Sequence, residues 1–215
     1  MRVAQSLRSK YGEYVLSKNL KHNKHEVHSC NINSAQSIGI LFNATHSVSF
    51  EIVKNLVKEL SGKKRKIMVL GFVDSKQMID HYLYRKGFEF FTRNHLNWFD
   101  KPENEAVTEF INEEFDILIN LNLEHNYPIK YILSLSKAKF KVGRLTDQHK
   151  YMDFMIDIES EKEAMREIQS ELKKDGKPAK EHRTSYDNIA DTKTSVELQM
   201  NFLINQLLHY LSKLK

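Results

Sequence analysis

Between residues 37 and 158, short apolar runs alternate with helix-length amphipathic segments, the pattern of an α/β sheet with crossover helices. The clearest unit spans residues 115–143. Phe-Asp-Ile-Leu-Ile-Asn-Leu reads as a strand, residues 127–138 as a crossover helix, and Lys-Phe-Lys-Val-Gly as a second, parallel strand. Parallel strands require such a crossover, since a tight turn only reverses the chain. Residues 37–43, 66–73, 88–92 and 153–158 read as further strands. The prediction is a doubly wound, mostly parallel sheet of five or six strands, with the first strand central beside the organising one.

Start and stop signals fill in the helices. Thr45 or Ser47 is expected to cap a helix over 48–60, with Gly62 closing it. Asp74 and Gln77 have the spacing of a capping box for a helix ending near Lys86 and Gly87. Pro102 suits the first position of a helix reaching Glu113 or Glu114. From residue 159 the character changes: 161–174 is a highly charged helix stopped at Gly176 and Pro178, and 179–194 is a polar linker. Ser195 then caps a closing helix whose Val196, Met200, Leu203, Leu207, Leu211 and Leu214 form one stripe, expected to pack back on the sheet, with a partner's groove as the alternative. The division is therefore a basic helical arm and linker (1–34), an α/β domain (35–158), a charged helical insertion and linker (159–194) and a closing amphipathic helix (195–215).

The arm changes the picture of function. It carries Arg2, Arg8, Lys10, Lys18, Lys21 and Lys24 against Glu13 and Glu26, with Leu7, Tyr11, Tyr14 and Val15 at helical spacing. That apolar set is expected to dock on the domain; basic residues interleaved with aromatics also suit a single-stranded RNA. The formal charge of +5 favours anionic partners in general. With 40% hydrophobic and 28% charged residues in 215, the chain is globular in composition. No apolar run reaches membrane-spanning length and none follows Arg2 as a secretory leader, so a cytoplasmic protein is expected. One cysteine, Cys30, excludes an internal disulfide.

Candidate chemistry is sparse. His22, His25 and His28 at steps of three, with Cys30 beyond, are donors a zinc or nickel ion would select, yet no second pair matches them and no metal is expected. The loop Asn43-Ala44-Thr45-His46-Ser47 stands where a dinucleotide-binding fold carries its glycine-rich turn, and it has no glycine, so no cofactor is expected. A ligand crevice at the carboxyl ends of the strands would be lined by Asn43, Thr45, His46, Ser47, Asp74, Asn120, Asn122, Glu124 and His125. There His46 and Glu124 could serve as base and acid and Ser47 as a hydroxyl nucleophile.

Several of these stretches, Ser37 to Asn43, Leu70-Gly71-Phe72-Val73-Asp74, Leu96-Asn97-Trp98-Phe99, the Phe-Asp-Ile-Leu-Ile run and the Lys-Phe-Lys-Val-Gly run, resemble an uncharacterised family of short Bacteroidetes-type proteins, a domain of unknown function. The resemblance covers residues 35–158 and implies a fold without an activity. More distantly, the succession of Phe-Asp, apolar strand, Ala-Lys, apolar strand and Gly is similar to the amino-terminal Rossmann-like half of heptosyltransferase-type glycosyltransferases. That likeness implies a Rossmann-like fold and carries no catalytic residue, because too little chain follows residue 158 for their nucleotide-binding half. The expectation is a non-catalytic α/β module engaging a protein or ribonucleoprotein partner through the basic arm, the charged insertion and the aromatic loop at Trp98. The alternative is a small domain holding a nucleotide or sugar in the crevice.

Overall fold

Strand β1, Ser37–Asn43, is paired along both edges, with β2, Lys66–Val73, on one side and β4, Ile117–Asn120, on the other. Strand β3, Phe88–Thr92, extends the sheet beyond β2; β5, Lys141–Arg144, and β6, Phe154–Ile156, extend it beyond β4. All five pairings are parallel, and the order is β3-β2-β1-β4-β5-β6. The expected central pair is therefore β1 and β4, and the chain reverses its direction of winding between them. The computed structural model describes residues 2–21, 25–62, 65–78, 86–124, 126–146, 151–158 and 185–214, and of residues 2–6 and 185–194 the backbone alone. The expected helix over 161–174 and the helix expected between β2 and β3 lie outside the described residues.

A parallel sheet hides both faces, so its strands read as unbroken apolar runs and each face needs its own helices. Alternation along the strands sorts the residues. Ile38, Ile40, Phe42, Val69, Val73, Ile117, Ile119 and Val142 meet helix α2, Ser47–Leu60, and the last helix, α5, Ser185–Leu211, through Phe50, Val53, Leu203 and Leu207. Leu41, Leu70, Phe72 and Leu118 point the other way, against Val107 and Phe110 of α3, Glu105–Asn112, and Ile129 and Ile132 of α4, Tyr127–Leu135. Burying each such side chain contributes about 1.5–3 kcal/mol. At the lower end of the sheet, Asp116 accepts from the amides of Gln36 and Ser37, at 2.8 and 3.1 Å, and from Lys139, tying the starts of β1 and β4 together. Burial alone would raise its pKa, but Lys139 and the two amides outweigh that and hold it below the usual carboxylate value.

Several boundaries differ from expectation for local reasons. The residue preceding α2 is His46, whose side chain makes no cap bond; Thr45 instead accepts from the amide of Asp74 at 2.8 Å. That helix ends at Leu60 with Ser61, in right-handed conformation, as its C-cap, and not Gly62. No capping box forms at Asp74: its carboxylate pairs with Arg93, and the amide of Gln77 turns to Ser75. Pro102 pairs with Leu96 in an antiparallel bridge, and α3 starts three residues later behind Asn104, which accepts from the amide of Ala106. Ser195 lies inside α5, where its hydroxyl accepts from Gln199, so residues 185–194, expected as linker, are helical.

Helix α1, Arg2–Leu20, lies on α4. The side it docks is not the one its apolar spacing indicates. Leu16 is buried, and Gly12 lets the ring of Tyr127 approach, so that a Cβ there would stand 2.9 Å from that ring. The Tyr127 hydroxyl donates to the Gly12 carbonyl at 2.6 Å, Lys130 pairs with Glu13 at 2.6 Å, and Asn19 donates to Tyr131. Leu7, Tyr11 and Tyr14 face solvent.

Close packing across the sheet is testable at Gly143, where a Cβ would stand 2.6 Å from the Asn120 carbonyl oxygen, a backbone atom that cannot turn aside. Gly143→Ala should lower stability by about 1–3 kcal/mol, read as a lower urea midpoint at unchanged slope. Gly62→Ala, with its nearest neighbour at 3.8 Å, should leave the midpoint in place; equal effects would refute the packing argument.

Candidate functional site

The crossing point between β1 and β4 opens toward the carboxyl ends of the strands, where open α/β sheets bind ligands. Asn43 ends β1 and folds back to accept from the amide of Thr45 at 2.9 Å. His46 and Glu124 come to one cavity of about 30 Å³, shared with Asn43, Ser49, Leu121, Leu123, Val196 and Met200. No hydrogen bond joins the imidazole to the carboxylate. Ser47 is exposed at the first turn of α2 and stands outside that lining. Thr45 and Asp74 hold each other and Arg93, as above, and do not line it either. His125 lies outside the described residues.

On the opposite side of β4, Asn120, Asn122, Glu124, Lys130, Tyr151 and Met152 are among the residues around a second cavity, of about 40 Å³. Asn120 and Asn122 are buried. The Asn122 side-chain amide donates to Asn120 Oδ1 at 2.6 Å, and Asn120 Oδ1 also accepts from the Asn122 backbone amide at 3.2 Å. Among the described residues Asn122 Oδ1 is buried without a partner. Spaces of this size hold a water or two, against the several hundred cubic ångströms of an ordinary ligand pocket. In the first of the two, Val196 and Met200 of α5 reach the crossing point and take up part of its wall. A roomier cleft, about 460 Å³, lies at the other end of the sheet among Ile32, Leu60, Arg65, Leu208 and His209.

Lysine 141 is a residue whose setting the sequence does not disclose. It is 2% exposed, and its ammonium donates to the Leu133 carbonyl at 2.9 Å, in the last turn of α4. Burial lowers its pKa to about 8, with Asp153 opposing that shift. The backbone amide of Lys141 donates to the same Asp153, which also holds His25 at 2.9 Å. Of the other metal candidates, His28 stands 3.9 Å from Glu26, Cys30 leans on the Asn31 carbonyl, and His22 lies outside the described residues. Among the described residues no three such donors cluster.

The partner-binding candidates converge better. The loop between Leu96 and Pro102 is built around Asn97, whose side-chain oxygen accepts from the amides of Phe99 and Lys101 at 3.1 Å, with Asp100 in the left-handed region at φ 64°. This turn carries Trp98 to α1. Tyr11 lies 4.9 Å from the Trp98 ring, with 30° between the planes, and 5.1 Å from Phe99, edge on; Tyr14 continues the row 6.4 Å from Tyr11. Arg8 pairs with Asp100 and pins the helix to the loop. Trp98 is 63% exposed, Tyr14 62%, Leu7 62% and Tyr11 45%. Lys10 and Lys18 are exposed on the same helix, and Lys21 is exposed just past its end; Lys24 and the side chain of Arg2 lie outside the described residues. The sequence does not foretell the joining of Tyr11 to Trp98; its one signal is the pairing of an aromatic turn with a helix that carries tyrosines in its apolar set.

A six-stranded parallel sheet in this order, with helices on both faces, defines a Rossmann-like α/β protein. Residues 8–174 match the model of a family of unknown function, DUF6913, and the chain belongs to that family. No curated protein and no solved structure matches it. Among the described residues, no helix is long and apolar enough to cross a membrane.

The setting of Lys141 has a pH signature. Its folded-state value lies below the ordinary 10.5, so between pH 8 and 10.5 the unfolded chain binds more protons and stability rises with pH. The penalty, on the order of 3 kcal/mol from the size of the shift, is present below pH 8 and relieved above 10.5. Burial raises the values of Tyr127 and Tyr131 above 10, which takes stability away only past that point. Urea unfolding should therefore show stability climbing from pH 8 to 10 in the native protein and a flat profile in Lys141→Met; a slope that survives the substitution would exclude the lysine as its source.

Proposed function

We propose that this protein is a non-catalytic α/β binding module that engages a macromolecular partner, a protein or a ribonucleoprotein, through the face made by α1 and the Trp98 turn. The observation that carries the reading is the exposed row of Leu7, Tyr11, Tyr14 and Trp98. Large apolar side chains held in solvent contribute little to folding, and when they are contiguous and rimmed by polar groups they mark interaction sites. Tryptophan and tyrosine also carry much of the binding energy in interfaces. The row is held by an ion pair, an ordered turn and the docking of α1 on α4, so its rings enter a complex with little conformational entropy left to lose.

The rival reading, a nucleotide or sugar held at the crossing point in the manner of a glycosyltransferase-like domain, is less well supported. Val196 and Met200 line the crossing point, and the spaces of about 30 and 40 Å³ there among the described residues suit water. The unpartnered Asn122 oxygen favours a bound water or a small donor group there.

Purification of the tagged protein from its source cells at low salt tests the choice. A stoichiometric partner should accompany the native chain and fall at least about tenfold with Tyr14→Ala/Trp98→Ala, because truncating a hot-spot residue costs 2 kcal/mol or more. His46→Ala/Glu124→Ala should retain the partner. Retention by the aromatic variant, with loss on changing His46 and Glu124, would transfer the function to the crossing point.

A further inference from the structure

We infer that the occupant of the α1 and Trp98 face is single-stranded RNA, an assignment that rests on the binding-module reading and names its partner. The argument starts from what alternates along the helix. Lys10, Tyr14 and Lys18 follow one another at steps of four, so they share one side of α1 and are spaced about 6 Å apart along its axis. Lys21 follows just past the end of the helix. Among the described residues Lys10 and Lys18 enter no ion pair, whereas Arg8 and Glu13, nearer the docked side, are neutralised by Asp100 and Lys130. The outward charge of the helix is therefore positive.

The rings between those charges are presented as platforms. Tyr11 backs one side of Trp98 at 4.9 Å, and Phe99 braces both edge on, at 75° and 78°. The indole stays 63% exposed and the Tyr14 ring 62%. A protein partner would favour a different composition, since the core of a protein interface is depleted in charge and in lysine particularly. Cations alternating with open ring faces are instead what a flexible phosphate backbone and its splayed bases require: lysines follow the phosphates, and any base can stack on an aromatic face. The exposed Tyr14 phenol adds a group able to hydrogen-bond a ribose hydroxyl, the contact by which RNA is told from DNA. The family match begins at Arg8, so Lys10, Tyr11, Tyr14, Lys18 and Trp98 all lie within it.

The chain's single tryptophan is Trp98, which makes the test direct. Full-length protein is titrated at low salt with a uridylate dodecamer, following Trp98 fluorescence and the anisotropy of end-labelled oligonucleotide. Expected are quenching on binding, an affinity that weakens steadily with salt, and weaker binding to a thymidylate dodecamer. Tyr14→Ala should lower affinity roughly tenfold, and Lys10→Ala and Lys18→Ala should each reduce the salt slope by about 0.7, all with the native unfolding midpoint. Absence of binding, equal quenching by heparin, or equal affinity for thymidylate would overturn the assignment to RNA. If RNA fails to bind while a co-purifying protein still depends on Tyr14 and Trp98, the partner is a protein and the binding face stands; if neither depends on them, both readings fall.

Discussion

Everything in the molecule follows from the pairing of β1 with β4. It joins a left half, built as β1, α2, β2 and β3, to a right half, built as β4, α4, β5 and β6, and it is the place where the winding changes direction. Both strands are buried on both faces, so helices must cover them above and below. Their starts are held by one carboxylate, Asp116, which collects the amides of Gln36 and Ser37 and the ammonium of Lys139. In most open sheets of this kind the far end of the same pair is where a ligand enters. Here Val196 and Met200 of the last helix line that end, beside a space of about 30 Å³.

A second set of contacts gathers on the outer side of α4. Gly12 and Tyr127 bring two helices into contact, Glu13 and Lys130 fix their register, and Arg8 with Asp100 adds the loop that carries Trp98. The consequence is an inversion. A helix that reads as amphipathic spends a glycine, a leucine and its polar flank on docking and leaves tyrosines in water. Packing of backbone against an aromatic ring, with three polar links, outweighs the burial of two tyrosines that have a wet hydroxyl to satisfy.

Much of the fold was legible because a doubly buried parallel strand leaves few residues that tolerate polarity. Ile38 to Phe42 and Ile117 to Ile119 could hardly be anything else. Helix ends were less legible. Thr45, Asp74, Pro102 and Ser195 each have the chemistry of a cap or a first turn, and each found another partner: the amide of Asp74, Arg93, a bridge to Leu96, and Gln199. Capping groups are interchangeable locally, and the choice among them is made by whichever donor tertiary contact brings nearest.

Two lysines show the limit most clearly. Lys139 and Lys141 flank Phe140 in one short run, alike in sequence, yet one reaches out to Asp116 and the other is buried against the Leu133 carbonyl. By itself the sequence determined the class of fold, the central pair and the absence of a glycine-rich phosphate turn, since these depend on periodicity and residue type along a few neighbouring positions. Only the tertiary structure decided which side of α1 docks, that Tyr11 meets Trp98, and that α5 reaches the crossing point. Those are contacts between residues distant along the chain, and periodicity shows that a face is apolar without showing what will cover it.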